Sequence, residues 1–239
     1  MTIGFGNGDF YRLHHHDWNR FSDEYLELYT AGGLAKALEF HCRSEQDLDY
    51  LIRATDLNLT PFDYISLHAP AHAYQKDENS RSLLDKLSLI AQKYSLKNIV
   101  FHVDLVRDWD VFLDYKLLPI SIENMDDRKT SGRSLEDIKA ILDKYDFNLT
   151  LDLQHCFVND RSLRLAEQFQ DEYPSKIVEY HLSGYDESLL HYPLFKTKQD
   201  QIINCLRYTD KPIIIESTFD KIGEHESELE YITQRLSRQ

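Results

Sequence analysis

In the stretch LTLDLQHCF, residues 149–157, Leu149, Leu151 and Leu153 alternate as in a buried strand, yet a carboxylate, Asp152, sits among them and His155 follows three residues later. An ionised carboxylate is not buried without a partner. The same combination recurs along the chain. His68, His102, Glu123, Asp152, His181 and Glu216 each stand at or near the end of an apolar, β-rich run: YISLH, NIVFH, LPISIE, NLTLDL, KIVEYHL and PIIIES. Acids and imidazoles gathered in one low-dielectric cup would lose hydration, and the acids would repel one another, unless a cation were shared. Carboxylate oxygen with imidazole nitrogen suits zinc, manganese or iron better than calcium or magnesium, which prefer all-oxygen shells. On this reading Asp152 faces a metal from the end of its strand. Taken singly, a strand-end histidine is more often a hydrogen-bonded structural residue, and a strand-end acid a helix cap or an arginine partner. The metal reading rests on six such residues on six successive strands, and His41 and His72 stay outside the set.

Elements that could position these residues alternate from end to end. Strand-like runs lie at 3–6, 36–42, 64–68, 98–102, 118–123, 148–153, 176–182 and 212–217, several apolar almost throughout, as strands covered on both faces are. Between them, helices are predicted near 22–30, 44–54, 79–94, 108–115, 134–145, 161–172, 197–208 and 225–237, from apolar spacings such as Leu135, Ile138, Ile141 and Leu142. Ser44 with Asp47, Ser134 with Asp137 and Thr197 with Asp200 have the spacing of capping boxes. Eight strand–helix units in 239 residues, near the roughly 250 of a typical closed ring, predict one α/β domain over 1–239, a single (β/α)8 TIM barrel. An open doubly wound sheet is the alternative. In a barrel all C-terminal strand ends share one face, where catalytic groups of this fold sit.

Composition narrows the partners. Forty-one acidic residues against 27 basic give a formal charge of −14, which repels polyanions and disfavours non-specific binding to DNA or anionic membranes. Cys42, Cys156 and Cys205 are an odd, widely spaced set without C-x-x-C, which fits a reducing, cytoplasmic compartment. No run approaches the roughly 18 apolar residues of a membrane span, and the N-terminus lacks a signal-peptide pattern. GFGNG (4–8) has the glycines of a tight turn but not G-x-G-x-x-G, and neither a P-loop nor G-x-S-x-G occurs.

The motifs SLHAP (66–70), VFHVD (100–104), SIEN (121–124), LDLQH (151–155), YHLSG (180–184) and IIES (214–217), taken in order, resemble the xylose-isomerase-like TIM barrel superfamily. Within it they are most similar to endonuclease IV-like proteins (AP endonuclease family 2), and also to sugar phosphate isomerases and epimerases. The resemblance covers nearly the whole chain. It implies that Glu123, Asp152, His181 and Glu216 form the four-ligand metal set common to these branches. It implies too that His68 and His102 hold an additional metal bridged by Glu123, which favours a hydrolase. In endonuclease IV the histidine matching His155 joins an Asp-x-His pair in a third metal site. The corresponding stretch here is DESLLHY (186–192), where His191 matches the histidine, Leu189 stands in the aspartate's place and Asp186 has the wrong spacing.

The loop DDRKTSGRS (126–134) follows Glu123 and concentrates Arg128, Lys129 and Arg133 beside the cup. It reads equally as a phosphate cradle, aided by the helix start at Ser134, or as an ordinary solvated loop. Arg107 and Lys196 are weaker phosphate candidates. The HHHD run (14–17) either supplies a pocket-lining histidine or is a surface cluster, and Tyr11, Trp18, Tyr74 and Trp109 either stack on a sugar or base or pack over the barrel rim.

The function these features lead us to expect is a hydrolase using two divalent ions (zinc, manganese or iron), with Glu123, Glu216 and His155 in catalysis. Its substrate would be a small sugar or phosphate ester in preference to duplex DNA. The alternative is a mononuclear isomerase or epimerase of a sugar, sugar phosphate or keto acid, in which Glu123 or Glu216 moves a proton at carbon. A third reading is a catalytically silent barrel used for binding, against which the intact four-ligand set counts.

Overall fold

The chain, described by a computed structural model over residues 1–8, 20–188 and 190–238, closes eight parallel strands into a ring. The HHHD run, Tyr11, Trp18 and Leu189 lie outside the described residues. Strands β1 (Ile3–Gly6), β2 (Ala37–His41), β3 (Tyr64–His68), β4 (Asn98–His102), β5 (Ile120–Glu123), β6 (Asn148–Asp152) and β7 (Ile177–Leu182) pair in sequence order. An antiparallel hairpin, β8 (Gly184–Asp186) and β9 (Leu190–Tyr192), precedes β10 (Ile213–Ile215), which lies between β7 and β1 and closes the barrel. The expected (β/α)8 ring is therefore present and the open sheet is not.

Helices α1 (Asp23–Leu28), α2 (Glu45–Arg53), α3 (Glu78–Tyr94) and α4 (Leu135–Leu142) lie where the apolar spacing predicts them. The capping boxes at Ser44 and Ser134 both form. A further helix, α5 (Leu153–Asn159), starts directly at the end of β6. Leu153 is thus the first residue of a helix and does not end a strand, because Asp152 caps α5 by accepting from the His155 amide at 2.7 Å. Then follow α6 (Arg164–Glu172), α7 (Leu194–Thr197), α8 (Asp200–Asn204) and α9 (Glu224–Leu236). The helix expected over 197–208 is shortened to α8, and a separate turn of helix, α7, precedes it. Lys198 takes a left-handed φ of 57° after α7, so Thr197 ends one helix instead of capping the next. The segment expected as a helix at 108–115 is a 3-10 turn over Trp109–Asp114.

Strand side chains alternate between two environments. Leu38, Phe40, Leu67, Ile99, Phe101, Ile122, Leu149 and Leu151 join one apolar cluster with helix residues such as Leu48, Leu84, Leu87, Ile138 and Phe169. Residues of the other parity include Glu39, Ser66, Asn98, Ser121, Thr150 and Glu179, all fully buried. Barrels of this class are normally filled by branched apolar side chains, so a polar column inside the ring is a departure from the apolar strands the sequence predicts. The ring closes tightly at β1, where a Cβ on Gly4 would lie 1.6 Å from the Ala37 carbonyl oxygen.

On the outside, Glu228 of α9 accepts from the amides of Leu194 and Phe195 at 2.7 and 2.9 Å and from Ser217 Oγ at 2.9 Å, fastening α9 to the start of α7. Burial pushes its carboxyl up to about 7 against those donors and Lys196. Because this lies above the unfolded value near 4.3, the folded chain holds a proton that unfolding releases. Its contribution to stability is complete below that value and is lost as pH rises through about 7. Urea unfolding at pH 5 and pH 8 checks this: the wild type loses this part of its stability between the two, and Glu228→Gln, whatever its constant penalty, does not.

Candidate metal centre

The strand register brings the polar strand ends side by side. His41 pairs with His68, His102 with Glu123, and Asp152 with His181 on adjacent strands, while Glu216 follows β10 directly. Glu123 lies at the centre, 1 % exposed, and its two oxygens face different partners. Oε2 is 3.1 Å from His102 Nε2 and 3.4 Å from His68 Nε2, whereas Oε1 is 3.2 Å from His181 Nδ1. The same His181 Nδ1 is 3.3 Å from Glu216 Oε1.

Among the described residues five donor groups result, each with ligand atoms lying within 4.8 Å of one another: His68, His102 and Glu123; Glu123, Asp152, His181 and Glu216; Asp152, His155 and His191; Glu39, Glu179 and His181; and Glu39, His41 and Glu216. The third group thus takes its carboxylate from Asp152. Asp186 is engaged elsewhere, its Oδ1 accepting from the amide and hydroxyl of Ser188 in the hairpin turn.

Whether these donors fit a cation is tested by what they lack. Asp152 Oδ1 caps α5, but Oδ2 is buried without a hydrogen-bond partner, and a buried carboxylate oxygen left unpaired is costly. Burial, with the charges of Glu123 and Glu216, pushes this carboxyl up to about 8 against the pull of His191 and His181. Burial opposes ionisation of Glu123 and Glu216 as well, yet the imidazoles around them hold both below the ordinary carboxylate range. Burial would also strip His68 and His181 of charge, but the surrounding acids raise His68 to about 9 and His181 well above its usual value. Without a cation the centre therefore draws in protons, the electrostatic demand that a divalent ion meets. His102 and His191 are lowered, chiefly by burial, and so present neutral donors.

Backbone and side chains behind the donors fix their orientation. His68 Nδ1 donates to the Ala69 carbonyl at 3.2 Å and His155 Nδ1 to the Asn124 carbonyl at 2.8 Å. His191 Nδ1 meets Ser183 Oγ at 2.9 Å. Asn124 ties β5 to β6, donating to the Asp152 carbonyl at 2.9 Å and accepting from the Asp152 amide at 2.8 Å. Groups behind metal-binding histidines set which nitrogen is free and where it points.

Above the donors lies a cavity of about 330 Å³ whose lining includes His41, Arg43, His68, His102, His155, Glu216, Arg128 and Lys129. His41, set aside on sequence grounds, stacks on His68 with ring centroids 4.8 Å apart and planes at 15°. Arg128 and Lys129 reach the cavity already paired, Arg128 Nε with Asp126 Oδ2 at 2.7 Å and Lys129 Nζ with Asp104 Oδ2 at 3.2 Å. Arg133 is not brought there; it lines a separate depression with Asn159 and Asp160 and reaches the carbonyls of Asp127 and Lys129. Lys196 pairs with Asp220 and Glu224. His72 meets Ser80, Tyr74 is buried against Phe101, and Trp109 packs on Phe147. Arg107 is absent from the cavity lining.

Sequence reasoning missed Glu39 and Glu179, two fully buried acids beneath the donors, 3.3 and 3.4 Å from His181 Nε2. The signal was their parity: in ALEFH and IVEYH each acid stands two residues before a strand-end histidine, hence on the same face.

No protein-family model matches the chain, and no curated protein shows significant similarity to it. Solved structures do match. An endonuclease IV from Thermus thermophilus aligns over 89% of this chain and 96% of its own, at 11% identity and a TM-score of 0.62. A 3-keto-D-glucoside 4-epimerase from E. coli aligns over 98% and 99%, at 13% identity and 0.60. A xylose isomerase domain containing protein from Salmonella typhimurium aligns over 90% and 91%, at 14% and 0.56. The fold, a closed (β/α)8 barrel, is the one these structures share. No helix among the described residues is long and apolar enough to cross a membrane.

Asn124→Ala would remove the side-chain hydrogen bonds to the buried amide and carbonyl of Asp152, at about 0.5–1.5 kcal/mol for each bond. Denaturant unfolding of metal-free protein is expected to show that loss.

Proposed function

We propose that the chain is a metal-dependent hydrolase with a dinuclear centre, acting on a small phosphate ester or phosphorylated sugar. The observation that carries this reading is the split of Glu123, whose Oε2 faces His68 and His102 while its Oε1 faces His181. A single four-ligand site needs no such division. His68, His102 and Glu123 would hold one ion, and Glu123, Asp152, His181 and Glu216 the other; the donor set suits zinc, manganese or iron. His155, anchored on the Asn124 carbonyl, would orient Asp152 or, with His191, hold a third ion.

Bound ions would supply Lewis-acid polarisation of a phosphoryl oxygen and acidify water near neutral pH. The chain itself contributes the rest. Glu123 and Glu216 face the cavity floor, where the surrounding imidazoles keep both ionised and able to orient a water. Lys129 and Arg128 hold an incoming phosphate at the rim by exchanging their aspartate partners for it. The acidic surface and the size of the cavity favour a small substrate over duplex DNA.

The second reading is a sugar isomerase or epimerase with one ion on Glu123, Asp152, His181 and Glu216. It is favoured by the near end-to-end alignment with an epimerase. In it His68 and His102 contact substrate, and Glu123 or Glu216 moves the proton at carbon.

Metal analysis after loading with zinc or manganese separates the two. At least two equivalents are expected, and Glu123→Gln is expected to lose most of both; one equivalent, unaffected by His68→Ala, would establish the second reading in place of the first. With bis(p-nitrophenyl) phosphate, abasic-site DNA and a panel of ketoses as substrates, hydrolysis of the phosphodiester is expected. Glu123→Gln is expected to reduce it by more than about 100-fold. Turnover confined to ketoses would refute the hydrolase.

A further inference from the structure

His181 is the one imidazole of the four-ligand set, and its second ring nitrogen points down into the polar column instead of toward backbone. Its Nδ1 faces Glu123 and Glu216 at 3.2 and 3.3 Å. Its Nε2 lies between Glu39 Oε2 of β2 and Glu179 Oε1 of β7, at 3.3 and 3.4 Å, squarely aligned with neither. All three side chains are fully buried.

The two acids are themselves held. Ser66 Oγ approaches Glu39 Oε2 at 3.5 Å. Asn98 Nδ2 donates to Glu179 Oε1 at 2.9 Å and to Thr150 Oγ1 at 3.0 Å, and Thr150 in turn meets Ser121 at 2.7 Å. Polar side chains from β3, β4, β5 and β6 thus brace a pair of carboxylates around a single imidazole nitrogen. An ionised carboxylate accepts from Nε2–H, and once a cation takes the Nδ1 side the neutral ring keeps its proton on Nε2 and its lone pair on Nδ1, the nitrogen turned to the mouth.

We propose that Glu39 and Glu179 are positioning residues that fix the tautomer and orientation of His181 from inside the barrel, and so set the affinity of the ion held with Glu123, Asp152 and Glu216. The proposal rests on the metal reading above. Carboxyl groups accepting from the rear nitrogen raise the basicity of the opposite one, and losing such a partner typically weakens metal binding 10–100-fold. The branched apolar filling normal to these barrels could not do this.

The test uses the full chain with Glu39→Gln, Glu179→Gln and the double variant, each checked for folding by circular dichroism. Zinc affinity is read by competition with a chromophoric chelator, and the His181 tautomer by imidazole nitrogen NMR of labelled protein. We expect His181 to be protonated on Nε2 in zinc-loaded wild type. Each single variant should bind the ion of the four-ligand set about 10–100-fold more weakly, and the double variant more weakly again. Glu39→Asp should recover part of the loss in the Glu39 case. Variants that fold, keep the tautomer and bind zinc as wild type would overturn the proposal. So would loss of one extra equivalent from the double variant with mouth affinity unchanged, since the acids would then hold a cation of their own. If the wild type binds no zinc, the metal reading fails, and the tautomer measurement still decides whether the acids orient His181.

Discussion

Mutual repulsion among buried acids is the constraint on which this structure turns. Glu123, Asp152 and Glu216 converge where little water reaches, and among the described residues their close ionic partners are all imidazoles. An imidazole answers a buried carboxylate only while it keeps a proton that burial works to remove, as the lowered His102 and His191 show. Lysine and arginine would neutralise the acids permanently, but they would also occupy the donor atoms. The chain keeps its cationic side chains one step away, as with Lys129 on Asp104 and Arg128 on Asp126. The acids stay available to an exchangeable ion.

Holding such a centre together falls to parts of the chain that carry no charge. Parallel register places His102 beside Glu123 and Asp152 beside His181, so the donors meet because their strands pair. Asn124 then locks the end of β6, and one oxygen of Asp152 is spent on capping α5 while the other faces the cup. The carboxylate among leucines thus caps a helix with one atom and presents the other to the cup.

The ring was legible from sequence because most strands are short apolar runs with a polar residue at or near the end, and those polar ends form the candidate site. What hid from view hid for local reasons. Leu153 continues the alternation of Leu149 and Leu151 in LTLDL, so nothing in the pattern marks where β6 stops and α5 begins; the decisive contact is a side-chain cap. The break after Thr197 depends on one left-handed residue, Lys198, which is not glycine. The hairpin at 184–192 is too short for a period to show. Glu39 and Glu179 were invisible because an isolated acid in a strand usually faces solvent, and only closure of the barrel turns that face inward. His41 was set aside by a general expectation about lone histidines, and the stack on His68 depends on register between β2 and β3.

The polar column beneath the centre divides labour inside the molecule. Apolar strand residues such as Phe40, Leu67, Phe101 and Leu151 turn to the helices, so cohesion comes mainly from the outer sleeve, and the lumen is left free of the task of filling space with hydrocarbon. Glu39, Ser66, Asn98, Ser121, Thr150 and Glu179 can therefore be exchanged as a set, altering the electrostatic field at the floor of the cup while the sleeve preserves the ring. In a scaffold of this kind the field at the strand ends can be set from below, without touching the loops around the mouth.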